Sequence, residues 1–327
     1  MNLYIDKENV ESLIGSRKHE RYEDCLRTMR KQLNVFFNFK KEDIIASESM
    51  MAWYKLFTQG VGVSNPIRFI EEKIPSRPLK SNTHTTLSNQ QLSSIFLVHD
   101  EKVETCMNSG AILIGQPGKE IETLTKLFLN QEDYSFNKGF VIGSDNFSKW
   151  SDLDSYSFPI SDVIIIDSYI LSDSSLIDSN LIPLLKTLTL SSRCKVNVII
   201  YTNTSNITIT YESLREKVKN AVSSTTSIPP NFTLIKYHDQ RGKDSFAEHD
   251  RTIFTNYNRL YSGDTFNYFL SNGEKTTKGR ELHFFNFGKM ENHTLASTLI
   301  TDIQSRITNM SPDSILGDKK SNFLNFT

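Results

Sequence analysis

The residues best suited to do chemistry stand together late in the chain, in "AEHDRTIFTNYNRLYSG". His249 is followed two positions on by Arg251 and seven on by Asn256, and Ser262 and Gly263 close the stretch. On an extended strand, positions 249 and 251 project to one face and Asp250 to the other. An imidazole and a guanidinium on one face suit a phosphate. The imidazole can attack phosphorus or protonate a leaving oxygen. The forked, permanently charged guanidinium can hold two phosphate oxygens. Asn256 would orient the imidazole or donate to an oxyanion. Ser262 and Gly263 would line the oxygens, with Arg259 as a second cation. The plainer reading is a solvated strand start followed by a turn.

Two further stretches could support such a site. "DVIIIDSYI" ends a buried run in Asp167, Ser168 and Tyr169. Ligands of open α/β sheets bind beyond the carboxyl ends of the strands, which makes Asp167 and Tyr169 candidate supporting residues. The alternative is that Asp167 caps the following turn. "GQPGKEIETL" sets Gly115 and Gly118 between a strand and a helix, where backbone N–H groups can face a phosphate. It is neither a P-loop nor a G-x-G-x-x-G fingerprint, and a strand-to-helix turn is the better reading. None of the seven His forms an HxxxH or HExxH pair, so no metal is expected. Cys25, Cys106 and Cys194 are far apart, and there is no G-x-S-x-G elbow. No cofactor is expected.

The elements that must position these residues are read from periodicity. Residues 1–75 read as a helical region, with Tyr22, Cys25, Leu26, Met29, Leu33 and Phe36 at helical spacing. In it "LYI" is an edge strand or a docking segment, and Trp53, Tyr54 and Phe57 could form a partner surface. Residues 76–93 are polar and read as a linker or long loop. From 94 to 310, β-branched runs alternate with helical stretches. Strands are expected at 94–100, 110–115, 139–144, 162–171, 195–203, 231–239, 250–263 and 282–288. Helices are expected at 121–130, 179–190, 211–224 and 293–307. Residues 311–327 read as a polar, frayed tail. The continuous apolar runs "VIIID" and "VNVII" imply strands buried on both faces. The fold class is therefore α/β, with a mixed, largely parallel sheet between helix layers.

With 327 residues and a formal charge of -1, the chain has no global pull toward nucleic acid or membrane, so any basic patch is local. Its longest apolar runs fall well short of the roughly 20 residues of a membrane helix. The acids Asp6 and Glu8 argue against a secretory signal at the start. A cytoplasmic location is expected.

On these residues the chain resembles the phospholipase D superfamily, whose motif has the form H-x-K-x4-D followed by a Gly-Ser turn. Here His249, Arg251 and Asn256 stand at the motif positions, and Ser262-Gly263 inverts the turn. The run ending in Asp167 and Tyr169, the helix after it and "VNVIIY" are similar to the segment that precedes the motif. One copy of the motif is present. The resemblance implies a domain that binds a phosphodiester, nucleic acid rather than lipid, in a degenerate site, for instance within a nucleic-acid or antiphage-defence assembly. Tyr257, Tyr261, Phe266 and Tyr268 would then stack bases or fill a core. The alternative implied is a metal-independent phosphodiesterase or nuclease, working as a homodimer that supplies the second motif. A Rossmann-like nucleotide sensor using the turn from Gly115 to Gly118 is a third reading.

Overall fold

A computed structural model describes residues 1–59, 94–97, 112–114, 117–238, 251–276 and 280–326. The chain divides into two units, the first of residues 1–136 with 286–294, the second of 137–285 with 295–327.

Short strands with inward-facing apolar residues build the first unit. Its elements are β1 (Asn2–Ile5), α1 (Lys7–Gly15), α2 (Tyr22–Gln32), β2 (Asn34–Phe37), α3 (Lys41–Ile45), α4 (Glu48–Gln59), β3 (Ser94–Leu97), β4 (Ile112–Ile114) and α5 (Glu120–Thr125). The strands form a parallel sheet in the order β2-β1-β3-β4. This corrects the expectation of a mostly helical region in which "LYI" is at most an edge strand. "NLYI" is an inner strand, and "NVFF" leaves the helical pattern because Val35 and Phe37 alternate inward with a period of two. Because β3 pairs with β1 and β4 with β3, the chain does not divide at residue 94. Trp53 and Phe57 are core residues of this unit, not a partner surface. The expected linker, 76–93, lies outside the described residues.

The second unit contains β5 (Asn137–Val141), β6 (Asp162–Ile166), α6 (Ser174–Leu176), α7 (Ile182–Thr189), β7 (Asn197–Asn203), α8 (Tyr211–Thr226), β8 (Asn231–Tyr237), β9 (Arg251–Thr255) and β10 (Asn258–Ser262). β11 (Glu281–Asn286), α9 (Met290–Thr308) and β12 (Ile315–Gly317) follow. The sheet order is β12-β8-β7-β6-β9-β10-β11-β5. β6, β7 and β8 are parallel, while β9 joins β6 and β12 joins β8 antiparallel. A mixed, largely parallel α/β sheet was expected; the sheet is mixed, but its parallel part is limited to β6, β7 and β8, and β5 with β11, β9 with β10, β6 with β9 and β8 with β12 pair antiparallel. β6 and β7 are buried along their whole length, as continuous Val and Ile runs require. α8 buries Leu214, Val218, Ala221 and Val222 on one stripe, is capped by the Thr210 hydroxyl, and stops at Ser227 in the left-handed conformation.

Two expectations fail here. Residues 250–263 do not make one strand, because the Thr255 hydroxyl accepts the N–H groups of Tyr257 and Asn258 and turns the chain into the β9–β10 hairpin. The tail is not frayed, since β12 pairs with β8 and Phe323 and Leu324 are buried.

Candidate functional site

β6 delivers Asp167, Ser168 and Tyr169 to the carboxyl end of its sheet. Asp167 is fully buried, and its carboxylate accepts from Tyr169 N (2.8 Å), Thr265 Oγ1 (2.7 Å) and Phe266 N (2.8 Å). It therefore caps its own turn and also ties down the loop after β10. Burial pushes its pKa up, opposed by the Thr265 hydroxyl, the two backbone N–H groups and the Arg251 charge. The Ser168 and Tyr237 hydroxyls meet at 2.5 Å, Asn206 Nδ2 donates to Ser168 O, and Asn267 Nδ2 donates to Tyr169 O. The turn is held by side chains from three other parts of the unit, which fixes the direction of Tyr169.

Arg251 opens β9. The antiparallel register that sets Ile166 against Thr252 brings Arg251 beside Asp167, and Ser262 lies directly across from Arg251 on β10. The half-buried guanidinium donates from Nη1 to Gly263 O at 3.2 Å. Its Cζ lies 5.7 Å from the centre of the Tyr169 ring, and Tyr169 is 38% exposed. Arg251 Nε is buried with no hydrogen-bond partner among the described residues. The chemistry on offer is a positioned, partly committed cation beside an accessible aromatic face.

The other expected residues are placed less simply. His249 lies outside the described residues. Ser262 is fully buried and its hydroxyl accepts from Asp264 N at 3.3 Å, so it does not line a solvent-facing oxygen cradle. Gly263 is exposed, but it offers its carbonyl, which holds Arg251 rather than a ligand oxygen. Asn256 sits at the opposite end of β9, five residues from Arg251 or roughly 17 Å along a strand. Its Oδ1 accepts from Ser161 N (2.8 Å) and Asp162 N (3.2 Å), and its Nδ2 donates to Ser161 Oγ (3.1 Å). It orients nothing beside Arg251.

Arg259 pairs with Phe254, one position out of phase with Leu260 and Ser262, and so projects from the other sheet face. There it donates from Nε to Thr252 Oγ1 and stacks over Tyr261 and Phe285. Tyr257, Phe266 and Tyr268 are core residues, Tyr268 stacked on Trp150 at 5.2 Å, so base stacking by these three is excluded. Thr265 and the Phe266 N–H, which secure Asp167, had no signal in the sequence beyond the polar "GDT" after β10.

The remaining candidates are closed. The Gly118 N–H donates to the carboxylate of Glu120, so a phosphate at this turn would meet a buried acid. That opposes the nucleotide-sensor reading. Burial raises the thiols of Cys25 to about 11 and Cys194 to about 12, which leaves both inert at neutral pH. Cys106 lies outside the described residues. No group of three His, Cys, Asp or Glu that could hold a metal occurs among the described residues.

The fold and the site together define an α/β protein of two units, the second carrying an Asp–Arg–Tyr cluster at the carboxyl end of a mixed sheet. No family model matches the chain, and no curated protein matches it.

Proposed function

We propose that the second unit is a phospholipase D-like domain that binds a phosphodiester of nucleic acid at the carboxyl end of β6 without cleaving it. One observation carries this reading. The Arg251 guanidinium is held by Gly263 O beside the 38% exposed Tyr169 ring, with its Nε lacking an acceptor among the described residues. Such a pair can grip a phosphate with one member and stack a base on the other. The chain order supports the superfamily reading: a buried strand followed by Asp-Ser-Tyr, helices, two parallel strands with a helix between them, then a hairpin that opens on Arg251. Asn256 is committed to Ser161 and Asp162, which favours binding over turnover. A nucleic acid is favoured over a lipid because the exposed Tyr169 ring beside Arg251 offers a face on which a base can stack.

Fluorescence anisotropy with labelled single-stranded DNA and RNA tests the reading. Binding should weaken as salt rises. Arg251→Ala should weaken it about tenfold while leaving circular dichroism unchanged, the loss expected for one charge-assisted contact. Unchanged affinity would remove Arg251 from the site. Cleavage in EDTA that disappears in His249→Ala would replace this reading with a working metal-independent phosphodiesterase.

A further inference from the structure

We propose that the first unit holds a hard divalent cation at the carboxyl end of its four-stranded sheet, through oxygen atoms of Asp6, Asn9 and Asn38. The site lies within the first unit and is independent of the phosphodiester reading.

The topology selects the place. The chain leaves β1 for β2 on one side and later returns to β3 on the other, so the strand order reverses beside β1. Crevices at such switch points, beyond the carboxyl ends, are where open α/β sheets take ligands. Asp6 follows β1 directly, and its N–H donates to Leu97 O at the end of β3 (2.8 Å). Asn38 follows β2 directly, and its N–H donates to Ile5 O (2.8 Å). Backbone pairing thus brings both side chains to the switch point.

Their polar atoms are buried, and their hydrogen bonds leave oxygens over. Asp6 stands at the N-cap of α1, yet its carboxylate makes no cap hydrogen bond. Instead Asp6 Oδ1 accepts from Asn38 Nδ2 at 2.5 Å. Asn9, one turn into α1, donates from Nδ2 to Glu120 Oε1 at 2.7 Å. Both amides spend their N–H groups on carboxylates, and both leave an oxygen over. Asn9 Oδ1 and Asn38 Oδ1 are buried with no hydrogen-bond partner among the described residues. Buried acceptors of this kind are costly unless something positive or donating meets them.

One carboxylate and two amide oxygens, with no nitrogen or sulfur, suit Mg²⁺, Mn²⁺ or Ca²⁺, with water completing the shell. Glu120 is a positioning residue. Its oxygens already accept from Asn9, from Ser12 Oγ (3.0 Å) and from Gly118 N, so it aims Asn9 rather than binding the ion. With a single ligating carboxylate, affinity should be low, with a dissociation constant on the order of 10⁻⁴ to 10⁻³ M.

The test is isothermal titration of the chelator-stripped full chain with MgCl₂, MnCl₂ and CaCl₂ at constant ionic strength, alongside thermal unfolding. Wild type should show saturable binding and a rise in Tm, and Asp6→Asn should lose both. Asn38→Asp supplies the check that does not depend on how Asp6→Asn folds. It should melt lower than wild type in EDTA, regain its Tm with the cation, and bind at least about tenfold more tightly. The proposal is overturned if wild type shows no saturable binding. It is equally overturned if Asp6→Asn binds as wild type does, or if the cation does not reverse the Tm loss of Asn38→Asp.

Discussion

Strand β6 ends in a buried aspartate on both sides, and the two ends do different work. At the carboxyl end Asp167 fixes a turn and a loop beside the half-buried Arg251 and the exposed Tyr169. At the amino end Asp162 accepts from Ser161 Oγ, Asn197 Nδ2, Ser321 Oγ, Asn322 N and Asn322 Nδ2 at 2.7–3.3 Å. Asn231 extends that network by donating to Asn197 Oδ1. One end presents a cation and an aromatic ring to solvent, and the other clamps the last residues of the chain. The spacing from Arg251 to Asn256 runs the length of β9, which lies antiparallel to β6, so Arg251 belongs to the first end and Asn256 to the second. A motif that reads as one constellation is divided between a site and a clamp.

The largest effect should come from breaking the clamp. Asp162→Ala leaves several buried donors unmet and unpins the segment carrying Phe323 and Leu324. A loss on the order of 3–5 kcal/mol is expected from urea unfolding. Phosphodiester affinity of the folded protein should stay unchanged. If Asp167→Ala costs more stability than Asp162→Ala, the contrast between clamp and site is wrong.

The two aspartates also set a pH dependence. Burial raises both folded-state pKa values above the ordinary 3.8, so the folded chain keeps these protons to higher pH than the unfolded chain. Their contribution to stability is complete below about 3.8 and is lost as pH rises through the raised values. Unfolding free energies across that window should therefore show a fall with rising pH that is shallower in Asp162→Asn.

Asn256→Asp should give the next effect, and it bears on the motif directly. The new residue keeps the acceptors used by Ser161 N and Asp162 N but loses the donor to Ser161 Oγ. It also sets a second buried carboxylate near Asp162. About 2 kcal/mol of destabilisation at neutral pH is expected, easing as pH falls and one acid protonates. No gain in binding or turnover should follow, because position 256 is remote from Arg251. A gain of either, measured by anisotropy or by cleavage in EDTA, would reunite the two ends as one site.

What could be read in the sequence follows the length and continuity of its patterns. β6 and β7 were legible because unbroken Val and Ile runs call for strands buried on both faces. Asp167 and Tyr169 were legible because they end such a run. β2 was not, and β1 was legible only as an edge strand or docking segment, because four residues give too little periodicity to compete with the helical pattern around them. The β9–β10 turn was hidden because its trigger is the Thr255 hydroxyl, inside a run that reads as one strand. The role of Asn256 depends on Ser161 and Asp162, which pack beside it from 95 and 94 positions away. No local pattern carries that information. The same holds for Asn9 and Asn38, whose amide N–H groups are taken by Glu120 of α5 and by Asp6 after β1, while their oxygens have no partner among the described residues.

The smallest expected effect separates the two faces of the hairpin. Arg251 and Arg259 both looked available for phosphate, but the register of β9 and β10 sends them to opposite sides of the sheet. Arg259 is already engaged with Thr252, Tyr261 and Phe285. Arg259→Ala should cost only about 0.5–1 kcal/mol, the value of a partly exposed cation–π stack. It should leave nucleic-acid affinity within about twofold of wild type, apart from a small loss of long-range attraction that salt screens. Measured beside Arg251→Ala at the same ionic strength, it assigns the ligand to one face. Equal losses in the two variants would mean that the ligand spans the hairpin edge, and the Asp167 end of β6 would no longer define the site.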